Sequence, residues 1–125
     1  MKIAMVIVRT LMGLLFIFGA VAYFFNLVPV PELTGKVKTF NEGMAATGYM
    51  MTLIKSVELI CGLLFVTGYA VPFATVLIAP VIVNIFLFHL FLDASALPVA
   101  IFLVLANIFV AYYYRNNYKP LFAGA

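Results

Sequence analysis

The chain has 125 residues, 67% of them hydrophobic and only 9% charged, with a net charge of +3. Soluble domains carry about 25% charged residues, so a water-soluble domain is excluded, and a mean hydropathy of +1.24 places the chain among polytopic membrane proteins. The small positive balance forms no basic patch, which argues against a nucleic-acid partner, and the lone Cys61 rules out an intramolecular disulfide or dithiol redox chemistry within one chain.

Residues 3–25 are apolar apart from Arg9 and Thr10. A basic start (Lys2, Arg9) and the small-x-small pattern Ala20-Val21-Ala22 resemble a cleavable signal. The apolar run continues unbroken through Phe24-Phe25, however, and is long enough to span a bilayer. It is therefore read as a first membrane helix, with Arg9 near its inner end expected to snorkel toward the headgroups.

Residues 26–47 form the longest polar stretch. Pro29 and Pro31 stop the first helix. Leu33, Val37, Phe40 and Met44 then fall on one helical stripe, with Glu32, Lys36, Lys38 and Glu42 mostly off it. The pattern predicts a short amphipathic helix at the membrane surface or folded over the bundle mouth, where it could act as a lid.

Residues 49–68 are the second span, and they contain Lys55 and Glu58. A charge at the membrane centre costs roughly 2.5–3.5 kcal/mol. The spacing i, i+3 puts the two on one helical face, where they can pair. Gly62 shares that face and allows a neighbouring helix close approach. Gly68 suits a helix C-cap and Pro72 the first turn of the next helix, so the second and third spans are antiparallel neighbours.

The third span covers residues 71–92. Pro80 removes a backbone bond, frees the Val76 carbonyl and predicts a kink. Asn84 follows one turn later on the same face. His89 lies about 140° around the helix from Asn84, so without the kink the two should not point at one spot. The fourth span, residues 97–114, enters through Pro98 and holds Asn107 near mid-depth. It ends in Tyr112-Tyr113-Tyr114-Arg115, an interfacial aromatic belt with a basic flank. With Lys2, Arg9, Arg115 and Lys119 at one end, the positive-inside rule predicts that both termini are cytoplasmic.

The fold expected for residues 1–125 is all-α: a single four-transmembrane-helix bundle with a short amphipathic helix in the first loop. Depth counted from the outer ends at about 1.5 Å per residue puts Lys55, Glu58, Asn84 and Asn107 in one layer, roughly 10–16 Å deep, with His89 shallower at about 5 Å. Lys55, Glu58, Asn84, His89 and Asn107 are the candidate ligand-binding residues. The bland alternative is a structural clamp of interhelical hydrogen bonds worth about 0.6 kcal/mol each. No metal-ligand spacing is present.

Several stretches together resemble the DoxX-like family of small bacterial membrane proteins. They are Arg9-Thr-Leu-Met-Gly13-Leu-Leu-Phe-Ile-Phe-Gly19, Ile54-Lys55-Ser-Val-Glu58-Leu-Ile-Cys-Gly62, Ala79-Pro80-Val-Ile-Val-Asn84-Ile-Phe-Leu-Phe-His89-Leu-Phe-Leu and Ala111-Tyr-Tyr-Tyr-Arg115-Asn-Asn-Tyr118-Lys119-Pro120-Leu. Many relatives carry Asn-Lys near the end of the first helix; here the positions read Ala22-Tyr23. The resemblance implies a four-helix bundle in the bacterial inner membrane. It also implies a redox setting, since relatives include a subunit of a thiosulfate:quinone oxidoreductase and members linked to oxidative-stress complexes. No cofactor motif is encoded, so a redox role would need a membrane or peripheral partner protein, or a quinone held beside the polar layer. A non-enzymatic scaffold or assembly protein is the alternative. A homo-oligomer is compatible with the composition, although no GxxxG pair marks a dimer face. Transport is disfavoured by the few spans and the lack of an inverted repeat.

Overall fold

The computed structural model describes residues 1–26 and 34–122. Pro29, Pro31, Glu32 and Leu33 lie outside the described residues. Five α-helices follow one another: α1 (Lys2–Phe25), α2 (Gly35–Ala46), α3 (Met50–Thr67), α4 (Val71–Phe91) and α5 (Leu97–Tyr113). Short 3-10 turns precede and follow α5. Four stretches among the described residues are long and apolar enough to cross a membrane: α1, α3, α4 and Ala94–Tyr113, which contains α5.

Each of these helices gives one stripe to the core. Met5, Met12 and Phe16 come from α1, Cys61 and Phe65 from α3, Ala74, Ile78 and Ile82 from α4, and Leu103, Ala106 and Val110 from α5. The spacings of three, four, seven or eight residues within each set keep the stripe on one side of its helix. Leu11, Leu14, Phe18, Ile60, Val83 and Ile108 point outward instead. An apolar exterior of this kind is stable in hydrocarbon, where packing and interhelical hydrogen bonds hold helices together.

The helices close into a ring in the order α1, α3, α4, α5, and α1 against α3 is the most extensive contact. Its cause is the pair Gly13 and Gly62, both buried. A Cβ built at Gly62 would lie 2.9 Å from the Gly13 carbonyl oxygen, and one at Gly13 would lie 2.8 Å from the Gly62 carbonyl oxygen. The two backbones therefore touch where neither residue has a side chain, as expected for Gly62.

The α3–α4 turn forms as predicted. Gly68 takes a left-handed conformation at φ 79, its N–H bonds to the Leu64 carbonyl, and Pro72 sits in the first turn of α4. Arg9 departs from its expected role. Rather than reaching for headgroups, its guanidinium donates to the Phe65 carbonyl and, at 3.3 Å, to the Val66 carbonyl. The last turn of α3 has no basic residue of its own, and its orphan carbonyls and negative dipole end attract a cation from the neighbouring helix. α4 continues as one helix through Pro80.

α2 has no fully buried residue. Its half-buried positions are Val37, Phe40, Asn41 and Met44, a single stripe at i, i+3, i+4 and i+7. The stripe rests on α3 and reaches α4 through Phe40, whose ring centroid is 5.0 Å from that of Phe88.

Candidate ligand-binding site

Lys55 Nζ lies 3.1 Å from Glu58 Oε2, and the side chains are 21% and 6% exposed. The other ion pair among the described residues, Lys38–Glu42 on α2, is a loose surface contact at 3.9 Å, which salt would screen. The Lys55–Glu58 pair faces inward because Gly62, one turn further along α3, is pressed against α1. The same rotation of α3 turns residues 55 and 58 away from lipid.

A cavity of about 190 Å³ opens beside the pair. Lys55, Glu58, Met51 and Ile54 form its α3 wall, Asn84, Ile85, Phe88 and His89 its α4 wall, and Phe40, Asn41 and Met44 its α2 roof. Asn84 and His89 thus line one cavity without meeting at a point. Residues 84, 85, 88 and 89 span about 140° of the helix surface and form a broad wall with one polar group at each edge. The His89 Nδ1 is 3.0 Å from the Asp93 carbonyl oxygen. A carbonyl can only accept, so Nδ1 carries a proton and donates in this contact. In the loop beyond α4, the Ser95 hydroxyl and amide hold the Asp93 carboxyl below its ordinary range.

Asn107 does not join this group. Its Nδ2 donates to the Thr75 carbonyl at 3.2 Å, and it lines a separate groove with Thr75 and Tyr118. Its depth is close to the expected one, but α5 turns its side chain toward the first turns of α4. Asn107 is six residues from the end of α5 and Thr75 four from the start of α4, so both sit within roughly 6–9 Å of the end that bears the termini. There Thr75 Oγ1 donates to the Pro72 carbonyl at 2.7 Å and accepts from the Tyr118 hydroxyl, which ties the segment after α5 to α4. The Asn107 Oδ1 is buried with no partner among the described residues.

Two contributors were not singled out from the sequence. Gly19 of α1 faces Lys55: a Cβ there would lie 3.7 Å from Nζ, its sole neighbour within 4 Å among the described residues. Gly19 and Lys55 are six and five residues from the matching ends of their helices, so a depth count applied to glycines would have paired them. Asn41 lines the roof, and its Nδ2 is held by the Val37 carbonyl at 2.9 Å. Its signal was its place on the α2 stripe.

The arrangement offers donors at two heights, the Lys55 ammonium and the Asn84 amide, and a fixed carboxylate between α1 and α4. It suits a small ligand with carbonyl, hydroxyl or anionic oxygens, set among apolar walls.

Fold and site together define a four-span integral membrane protein with an ion pair enclosed beside a small cavity. The DoxX family profile matches residues 4–90, from the first turns of α1 nearly to the end of α4, so the chain belongs to the DoxX family. No curated protein and no solved structure matches it.

Proposed function

We propose that the chain is an accessory or ligand-holding membrane subunit of a redox system in a bacterial inner membrane, with both termini cytoplasmic. Its ligand is a quinone or a comparable small lipophilic or anionic molecule, bound at Lys55, Glu58 and Asn84 with His89 at the rim. The observation that supports this most is the enclosed Lys55–Glu58 pair opening into a cavity that also holds Asn84. An ion pair needed only to fasten helices could be replaced by apolar residues at no loss, since taking both charges out of water offsets most of their attraction. The residues fit a quinone head: its carbonyl oxygens accept, and the Lys55 ammonium and Asn84 amide donate. The quinone supplies redox chemistry when bound. The chain's own groups orient its oxygens, and Glu58 holds Lys55 in place.

The test is direct binding of a decyl-tailed benzoquinone to the full chain in lipid nanodiscs. Asn84→Ala should weaken binding by about tenfold, the equivalent of one hydrogen bond of about 1.4 kcal/mol. The folded double variant Lys55→Met/Glu58→Leu should lose binding. Unchanged affinity in both would instead favour the alternative, a non-enzymatic scaffold of a larger membrane complex. That role is consistent with Lys55 and Glu58 satisfying each other.

A further inference from the structure

The cavity beside the ion pair is not isolated. A second cavity of about 330 Å³ shares Phe40, Met44, Ile54 and Asn84 with it. Its remaining lining is Met50 of α3 and Pro80 and Val81 of α4, so it lies between α3 and α4 toward the outside of the bundle. Pro80 and Asn84, one turn apart, are both exposed there, within a helix long and apolar enough to span a membrane. Asn84 is seven residues, about 10 Å, from the end of α4, deep enough to face hydrocarbon. Among the described residues its amide makes no hydrogen bond, and an unbonded polar group in that position is costly. Pro80, which lines the same gap, has no N–H to donate within the helix. From above, α2 roofs the gap with Phe40 and Met44.

Size separates the two cavities. About 190 Å³ falls below the roughly 300 Å³ at which pockets begin to hold whole drug-sized ligands, so the polar cavity holds a head group and little more. The remainder of any larger ligand must lie in the adjoining space, whose walls are apolar apart from Asn84.

We infer that the ligand is a head-and-tail molecule dissolved in the bilayer, and that it reaches Lys55 and Glu58 sideways, between α3 and α4 beneath α2. Its tail stays in the outer cavity and the surrounding lipid. Asn84, on the sill between the two spaces, hydrogen-bonds the head as it passes and as it rests, which meets the amide's unfilled bonding capacity. This rests on the proposed ligand role of the inner cavity and selects a lipophilic ligand over a water-soluble anion. The competing route runs from the aqueous boundary past Tyr49 and Thr52, through a third cavity that shares Asn41, Met44 and Met51 with the inner one.

The test uses the full chain in nanodiscs and two probes, decyl-tailed benzoquinone and the same ring without the tail. Val81→Trp fills the lateral gap, Met50→Trp fills it from the opposite wall, and Thr52→Trp obstructs the aqueous side. Both lateral variants should slow association of the tailed probe by about tenfold or more, while Thr52→Trp leaves it within about twofold. Equal slowing by Thr52→Trp alone overturns the lateral route and leaves the ligand role standing. Failure of the wild-type chain to bind either probe overturns the ligand role itself. A measurement on the unaltered chain guards against misfolded variants: a diazirine at the end of the decyl tail should label residues 50–54 and 80–84. Labelling confined to α1 or to residues 45–49 overturns the inference.

Discussion

Removing Lys55 should harm the protein more than removing both members of its ion pair. At 3.1 Å two unit charges attract by about 5 kcal/mol at an effective dielectric of roughly 20, an upper bound on the pair's worth. The penalty for taking each ion out of water is itself several kcal/mol, so the intact pair is close to break-even against apolar residues. The single variants are different. Lys55→Met leaves Glu58, 6% exposed, as an unpaired carboxylate with no other polar partner among the described residues, and should destabilise by about 3–5 kcal/mol. Glu58→Gln leaves an ammonium that is 21% exposed on a flexible stem able to carry it toward the cavity mouth, so the loss should be nearer 1–3 kcal/mol. Lys55→Met/Glu58→Leu should recover most of both losses. Reversible unfolding in mixed micelles, run as a double-mutant cycle, reads all four states. Additive losses, with the double variant as unstable as the two singles combined, would refute the claim that the charges are enclosed and coupled.

Two further outcomes follow from the packing and the loop. Gly62→Ala should destabilise by about 1–3 kcal/mol through overpacking, because its Cβ would meet the Gly13 carbonyl at 2.9 Å and Ile17 Cγ1 at 2.8 Å; Gly43→Ala on α2, where a Cβ meets nothing within 4 Å, should be neutral or stabilising, and thermal melts distinguish the two. The Asp93 carboxyl is held below its ordinary range, first by the Ser95 hydroxyl and then by the Ser95 amide. Its folded-state pKa is therefore depressed, so its support of the turn is fully present above about pH 4 and lost as pH falls through the lower folded value; the Ser95 amide signal should follow that course and be insensitive to pH in Asp93→Asn.

Much of the architecture could be read from the chain because hydrocarbon imposes long apolar runs and punctuation by glycine and proline is local. Gly68 and Pro72 bound the α3–α4 turn for reasons internal to those residues. The approach of α1 at Gly62 and the pairing of Lys55 with Glu58 were legible because spacing on one helix fixes a shared face. Relations between helices were less accessible. Asn107 has the right residue type and an apparently suitable depth, but helix rotation decides its partner, and rotation depends on packing with every neighbour. Arg9 was misassigned for a related reason: its acceptors, Phe65 and Val66, lie 56 and 57 residues away, and nothing local to Arg9 shows that they come within reach. Gly19 escaped notice because its contribution is the space it leaves for Lys55.

The enclosed pair can be examined without altering the chain. Solid-state NMR of protein carrying 15N-lysine and 13C-glutamate in bilayers should show a Lys Nζ–Glu carboxyl correlation that persists at high salt, unlike a contact from the exposed Lys38–Glu42 pair. That correlation should lack cross-peaks to lipid acyl chains and vanish in Glu58→Gln. A lysine ammonium in contact with acyl chains, or no salt-resistant correlation at all, would contradict an ion pair turned into the bundle.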